Sequence, residues 1–130
     1  MEKIPEKKRF NLVARLKSNT HAMRGLEVFI KSTHNAWVHL FFAAAAIYLG
    51  VMLDISELEW VSIVFAIGLV MVAEVFNTAI EIDIDLTSPD FHPYARDSKD
   101  VAAAGVALTV VMAGIVGMII FIPKIIALYI

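Results

Sequence analysis

"WVSIVFAIGLVMVAEVFNTAI", residues 60–80, is a run of 21 residues in which the one formally charged side chain is Glu74. About 20 predominantly apolar residues are enough for an α-helix to cross the ~30 Å hydrocarbon layer of a bilayer. Over the 130 residues of the chain, 59% are hydrophobic, against roughly 45–50% in a soluble globular domain. We therefore predict an all-α integral membrane protein with a single membrane domain, 1–130.

Two further apolar runs lie on either side of the first. "WVHLFFAAAAIYLGVML" (37–53) and "VAAAGVALTVVMAGIVGMIIFI" (101–122) contain no Asp, Glu, Lys or Arg. Together with 60–81, they predict three transmembrane helices. The first two must be antiparallel neighbours because "LDISELE" between them is too short for more than a tight turn. Residues 82–100 contain two prolines and are predicted as a loop, with a helix resuming after the second proline.

The charge distribution predicts the orientation of the chain. Eight of the 11 basic residues lie within 1–31, whereas the turn 53–59 has none. By the positive-inside rule, we expect the N-terminus and the loop 82–100 on the cytoplasmic side of the cell membrane. The formal net charge of −2 does not indicate a nucleic-acid partner, and the absence of cysteine excludes disulfides and thiolate metal sites.

The N-terminal segment, 1–34, differs from the three apolar runs. Its apolar residues recur at helical spacing, with basic residues on much of the remaining circumference, which is typical of an amphipathic helix at a membrane surface. The alternative is a partly disordered basic arm. The apolar positions are Phe10, Val13, Leu16, Met23, Leu26 and Ile30.

Three polar residues stand at helical spacing near the end of the central run. Glu74, Asn77 and Glu81 are at i, i+3 and i+7, so a helix places them on one face over about 10 Å, and Asp85 extends that face if the helix continues. An ionisable group inside a bilayer costs about 2.5 kcal/mol or more unless it is paired or hydrated. The stripe could hold Mg²⁺ through oxygen ligands while one carboxylate accepts a proton. The alternative is an interhelical hydrogen-bond cluster, or a protonated carboxylate.

Lys99 and Asp100 lie at the start of the third apolar run. A lysine there can reach phosphate oxygens as a flexible point charge, while nearby carboxylates supply metal ligands and a base. Lys99 also has a simpler interpretation, as an interfacial lysine that reaches for the headgroups. The chain has neither GxxxxGK[ST] nor GxGxxG, so an ATP site here would not use a common glycine-rich phosphate loop.

The spaced segments "EVFNTAIEIDIDL" (74–86) and "FHPYARDSKDVAAAGV" (91–106) resemble the signature of the small prokaryotic integral-membrane diacylglycerol kinase and undecaprenol kinase family. "SNTHAMRGL" (18–26) and "HNAWVHL" (34–40) resemble further segments of it. The resemblance implies a homotrimer of three-span subunits that transfers the γ-phosphate of MgATP to a lipid hydroxyl. The D-L, H-P and K-D-V-A-A elements are closer to the undecaprenol branch, so undecaprenol is expected over diacylglycerol.

The resemblance also implies roles for single residues. It makes Glu74 the general base, with Asn77 one turn further along, and Glu81 a carboxylate that binds Mg²⁺. A second group would surround the nucleotide, with Lys99 on the phosphates. The remaining members of that group are Asp85, His92 and Asp100.

Thr33 departs from the family pattern, because it stands where a metal-binding glutamate is usual. His34 or Asp83 could compensate for it. Two other functions remain open: a catalytically inactive or divergent homologue with a structural role, and a small cation or proton conductor that uses Glu74 and Glu81. The histidines outside the motif are predicted as interfacial hydrogen-bonding groups rather than ligands, and they are His21, His34 and His39.

Overall fold

The computed structural model describes the backbone of residues 12–130, with the side chains of residues 19–33 and 35–130. It contains four α-helices and, over that range, no strand, which confirms the all-α class. Phe10 of the predicted surface helix lies outside the described residues. The helices are α1 (Leu12–Ser32), α2 (His34–Met52), α3 (Glu57–Thr87) and α4 (Pro93–Ala127).

Three of these helices, α2 to α4, are long and apolar enough to cross a membrane, as the three apolar runs predict, and α1 precedes them. With 31 and 35 residues at 1.5 Å each, α3 and α4 are about 46 and 52 Å long. Both therefore exceed the ~30 Å hydrocarbon layer. Large apolar side chains such as Phe41, Phe65 and Leu108 are exposed on the outer faces, as expected for helices in contact with lipid.

The turn between α2 and α3 ends in a hydrogen-bonded helix cap. Ser56 and Glu59 form a capping box, in which each side chain accepts from the other residue's backbone N–H. This box starts α3 at Glu57, so the turn is shorter than the predicted 53–59. Nearby, Ile63 of α3 packs with Ile120 and Phe121 of α4 in a buried apolar cluster.

The loop between α3 and α4 is shorter than the predicted loop 82–100. Only residues 88–92 lie outside helices there. Because Ser88 precedes a proline, the helical conformation is disfavoured at that residue, and α3 ends at Thr87. Proline is favoured in the first turn of a helix, so α4 begins at Pro93, with His92 as its N-cap.

Candidate functional site

The polar stripe lies on one uninterrupted helix. Because α3 runs to Thr87, helical geometry puts Glu74, Asn77, Glu81 and Asp85 on one face over about 16 Å. Glu74 is 1% exposed and Asn77 is 7% exposed, Glu81 is half-buried, and Asp85 is exposed. The stripe therefore leads from the interior of the protein to its surface.

Glu74 is paired with a residue of α2. Its Oε1 lies 2.8 Å from Nε2 of His39, whereas its Oε2 is buried without a hydrogen-bond partner among the described residues. A buried polar atom without a partner costs about 1–3 kcal/mol, so a functional use for this carboxylate is favoured. His39 is predicted from the sequence as a hydrogen-bonding group, but its partner Glu74, 35 positions away, is not. The one sequence signal for this pair was Glu74 itself, an ionisable residue within an apolar run that needs a partner.

Asn77 and Glu81 form the middle of the stripe. Nδ2 of Asn77 donates to Oε1 of Glu81 over 2.9 Å, and Oδ1 of Asn77 is buried with no partner in the described part of the chain. No group of three or more His, Asp or Glu side chains there is placed to hold a metal ion. Mg²⁺ commonly takes one or two carboxylates together with substrate phosphates. Glu81 and the amide oxygen of Asn77 therefore suit an ion that a nucleotide would share.

Thr33, the residue that departs from the family pattern, lies against the stripe. Its hydroxyl is 2.8 Å from the hydroxyl of Thr78, which is buried on α3 beside Asn77. Asp83 does not compensate for the missing carboxylate, since nine residues at 100° each place it on the face of α3 opposite Glu74. The side chain of His34, the other proposed substitute, lies outside the described ones.

Lys99 meets the exposed end of the stripe. Its Nζ lies 2.5 Å from Oδ1 of Asp85, across the short loop between α3 and α4. Within the described side chains, Lys99 makes no hydrogen bond or ion pair with Glu74, Asn77 or Glu81. Exposed ion pairs contribute about 0–1 kcal/mol, so Lys99 can exchange Asp85 for a phosphate group at small cost.

His92 and Asp100 are placed differently from the other predicted site residues. Nδ1 of His92 accepts a hydrogen bond from the backbone N–H of Tyr94, which caps α4. Asp100 pairs with Arg96 on the same helix, at 3.5 Å between Nε and Oδ2. Both residues are exposed, and the described residues show no contact between them and the stripe. Their predicted position beside the nucleotide thus rests on the sequence resemblance.

Comparison with known proteins gives consistent matches. The family described as "Prokaryotic diacylglycerol kinase" matches residues 20–121. An undecaprenol kinase of Bacillus subtilis (strain 168) is 37% identical over 108 residues, which cover 83% of this chain and 88% of that protein. A diacylglycerol kinase of Synechocystis sp. is 31% identical over 87% of this chain and 65% of its own length. A diacylglycerol kinase of Escherichia coli (strain K12) is 28% identical over 52% of this chain and 56% of its own length.

Proposed function

Because the chain belongs to the prokaryotic diacylglycerol kinase family, we propose that it transfers the γ-phosphate of MgATP to undecaprenol in preference to diacylglycerol. ATP-dependent lipid kinase activity follows from the family, and the long apolar helices make the chain a multi-pass membrane protein. The preference for undecaprenol is supported by the match to the undecaprenol kinase along most of both chains. It is also supported by the D-L, H-P and K-D-V-A-A elements.

The observation that carries the proposal is the graded burial of the stripe on α3. A lipid kinase must join a hydroxyl that stays at the membrane to a nucleotide that stays in water. Glu74 is buried at one end of the stripe, and Asp85 and Lys99 form the exposed end. The lipid hydroxyl would therefore react at the Glu74 end, and the phosphates would enter from the Lys99 end.

The residues would divide the work of phosphoryl transfer, which depends mainly on positioning and charge stabilisation. Lys99 would leave Asp85 and bind phosphate oxygens, while Glu74, which is paired with His39, would accept the hydroxyl proton as the general base. Mg²⁺, when bound, neutralises phosphate charge, and Glu81 with Oδ1 of Asn77 would hold it.

Assembly and orientation complete the proposal. Basic residues concentrated in 1–31 favour a cytoplasmic site, where ATP is present. Asp85, His92 and Asp100 would then lie near the nucleotide in the aqueous phase. A homotrimer is implied by the sequence resemblance, and the small residues of α2 and α4 would permit close approach of helices in lipid.

A phosphorylation assay tests the proposed function. Purified protein in lipid nanodiscs would receive labelled ATP, Mg²⁺ and either undecaprenol or diacylglycerol, with EDTA as the metal-free control. We expect labelled undecaprenyl phosphate as the main product, and strongly reduced turnover in Glu74→Gln and Lys99→Ala. A clear preference for diacylglycerol would overturn the substrate assignment. Absence of phosphorylation of any lipid alcohol would favour the structural homologue instead.

A further inference from the structure

Arg96 closes the first turn of α4. Its backbone N–H donates to the carbonyl oxygen of His92, the N-cap residue, over 3.1 Å. Lys99 follows three residues later, so the two cationic side chains are neighbours on the helix surface, about 4.5 Å apart along its axis. Arg96 is therefore the cation next to Lys99, on the side that leads away from the buried end of the polar stripe.

The guanidinium of Arg96 has most of its hydrogen-bonding capacity unused. Its ion pair with Asp100 joins Nε to Oδ2 over 3.5 Å, the two side chains are 70% and 68% exposed, and the guanidinium forms no hydrogen bond with any described residue. By contrast, the Lys99 side chain is 35% exposed and lies 2.5 Å from Asp85. Exposed ion pairs are weak, so the N–H donors of Arg96 are available for a planar, doubly hydrogen-bonded contact with a phosphate group.

The segment around this arginine is acidic. Residues 81–100 contain six acidic side chains and two basic ones, Arg96 and Lys99. A polyphosphate that approaches such a segment is repelled unless cations face it. Mg²⁺ and one lysine do not neutralise all of the negative charge of a triphosphate. Within this segment, Arg96 is the second cation that the sequence supplies.

We propose that Arg96 is a nucleotide-binding residue that holds the α- and β-phosphates of ATP and of ADP. This inference rests on the proposed kinase function, in which the γ-phosphate reacts toward Glu74 and the rest of the nucleotide lies toward water. Lys99 is the less exposed cation, at the end of the stripe, whereas Arg96 is more exposed and lies further out. Arg96 thus faces the phosphates that remain on ADP after the transfer.

This placement predicts a role in binding rather than in the transfer itself. A contact that is equally strong in the ground state and in the transition state lowers the KM for ATP and leaves kcat unchanged. The same contact stays in place when ADP is bound, so ADP competes with ATP through Arg96. Turnover would then follow the ratio of ATP to ADP and not the ATP concentration alone.

ADP binding tests the contact without turnover. Native protein, Arg96→Gln and Arg96→Lys in phosphatidylcholine nanodiscs would receive Mg²⁺ and ADP but no lipid alcohol, and isothermal titration calorimetry gives the dissociation constant. We expect it to rise roughly 10- to 100-fold in Arg96→Gln, as for loss of a hydrogen bond to a charged group. Arg96→Lys keeps the charge but not the planar donor pair, so its value should lie between the two. Lys124→Gln, the same charge change at the other end of α4, is the matched control and should bind ADP as the native protein does.

Steady-state kinetics with undecaprenol tests which phosphates Arg96 holds. Arg96→Gln should raise the KM for ATP and the inhibition constant for ADP by a similar factor, while kcat stays within about twofold of native. Inorganic pyrophosphate has two linked phosphates and no base, and its inhibition constant should rise by the same factor. A fall in kcat with an unchanged KM for ATP would place Arg96 at the transferred phosphate and overturn the assignment.

The outcomes are distinct once each variant is matched to native by circular dichroism and size-exclusion elution. The proposal is overturned if the native protein binds ADP and Arg96→Gln binds it within about threefold of native, which is less than the loss of a charged hydrogen bond produces. It is also overturned if ADP affinity is kept and the variant instead loses activation by anionic phosphatidylglycerol, which would assign Arg96 to the phosphate of a lipid headgroup. Failure of the proposed function is read separately, from a native protein that binds ADP but phosphorylates no lipid alcohol.

Discussion

Lys99 and Asp85 form an ion pair that joins the beginning of α4 to the end of α3, with 2.5 Å between Nζ and Oδ1. The two residues are 14 positions apart, and the five residues 88–92 between the helices bring them together. The contact places a cation at the exposed end of an acidic stripe. That arrangement is what a triphosphate would need in order to approach carboxylates that otherwise repel it.

Lys99→Ala is expected to weaken the interaction with ATP. A hydrogen bond to a charged group contributes about 1.5–3 kcal/mol, so kcat/KM for ATP should fall roughly 10- to 100-fold. Steady-state kinetics at saturating lipid measures this effect. Lys124→Ala removes a lysine that pairs with Glu59 at the other end of α4, and it should leave the KM for ATP unchanged. An unchanged KM for ATP in Lys99→Ala would contradict the assignment.

Glu81→Gln is expected to alter the metal requirement. A neutral amide replaces the carboxylate that accepts a hydrogen bond from Asn77, whose Oδ1 has no partner among the described residues, so the Mg²⁺ concentration for half-maximal activity should rise on the order of tenfold or more. A Mg²⁺ titration at fixed ATP gives this value. Asp83→Asn removes a charge from the opposite face of α3 and serves as the control. Similar shifts in both variants would indicate a general charge effect rather than a metal ligand.

The sequence and the structure agree best where a pattern is local. Apolar runs predicted the membrane-crossing helices, and the i, i+3, i+7 spacing placed Glu74, Asn77 and Glu81 on one face. The pair of His39 with Glu74 was not predictable, because it depends on how α2 and α3 are rotated against each other. Local spacing carries no information on that rotation. The loop 82–100 was predicted too long. Prolines mark where a helix cannot continue, but they do not show how close to the proline the preceding helix ends.

Thr33→Glu is expected to strengthen metal binding. The hydroxyl of Thr33 is 2.8 Å from that of Thr78, and Thr78 lies within one turn of both Glu74 and Glu81 on α3. A carboxylate at position 33 would therefore add an oxygen ligand beside the stripe. We expect half-maximal activity at a lower Mg²⁺ concentration, whereas Thr33→Gln, of similar size but neutral, should not lower it. A Mg²⁺ requirement that stays the same or rises in Thr33→Glu would refute this expectation.

Gly50→Val is expected to destabilise the turn between α2 and α3. A Cβ at Gly50 would lie 2.8 Å from Cη2 of Trp60 and 3.0 Å from Cδ1 of Ile55. Overpacking of this kind typically costs about 1–3 kcal/mol, so the thermal unfolding midpoint in detergent should fall. Gly68→Val, at a position with open space, is the matched control. An equal midpoint for the two variants would show that Trp60 moves aside freely.

The length of α3 has a consequence for the catalytic cycle. Its 31 residues form one continuous helix of about 46 Å, which is longer than the ~30 Å hydrocarbon layer of a bilayer. Under the proposed function, the groups on α3 that would serve the lipid alcohol and those that would serve the nucleotide are thus held at a constant separation. In the proposed reaction, neither reactant would have to change phase, and the transfer would require no hinge within α3.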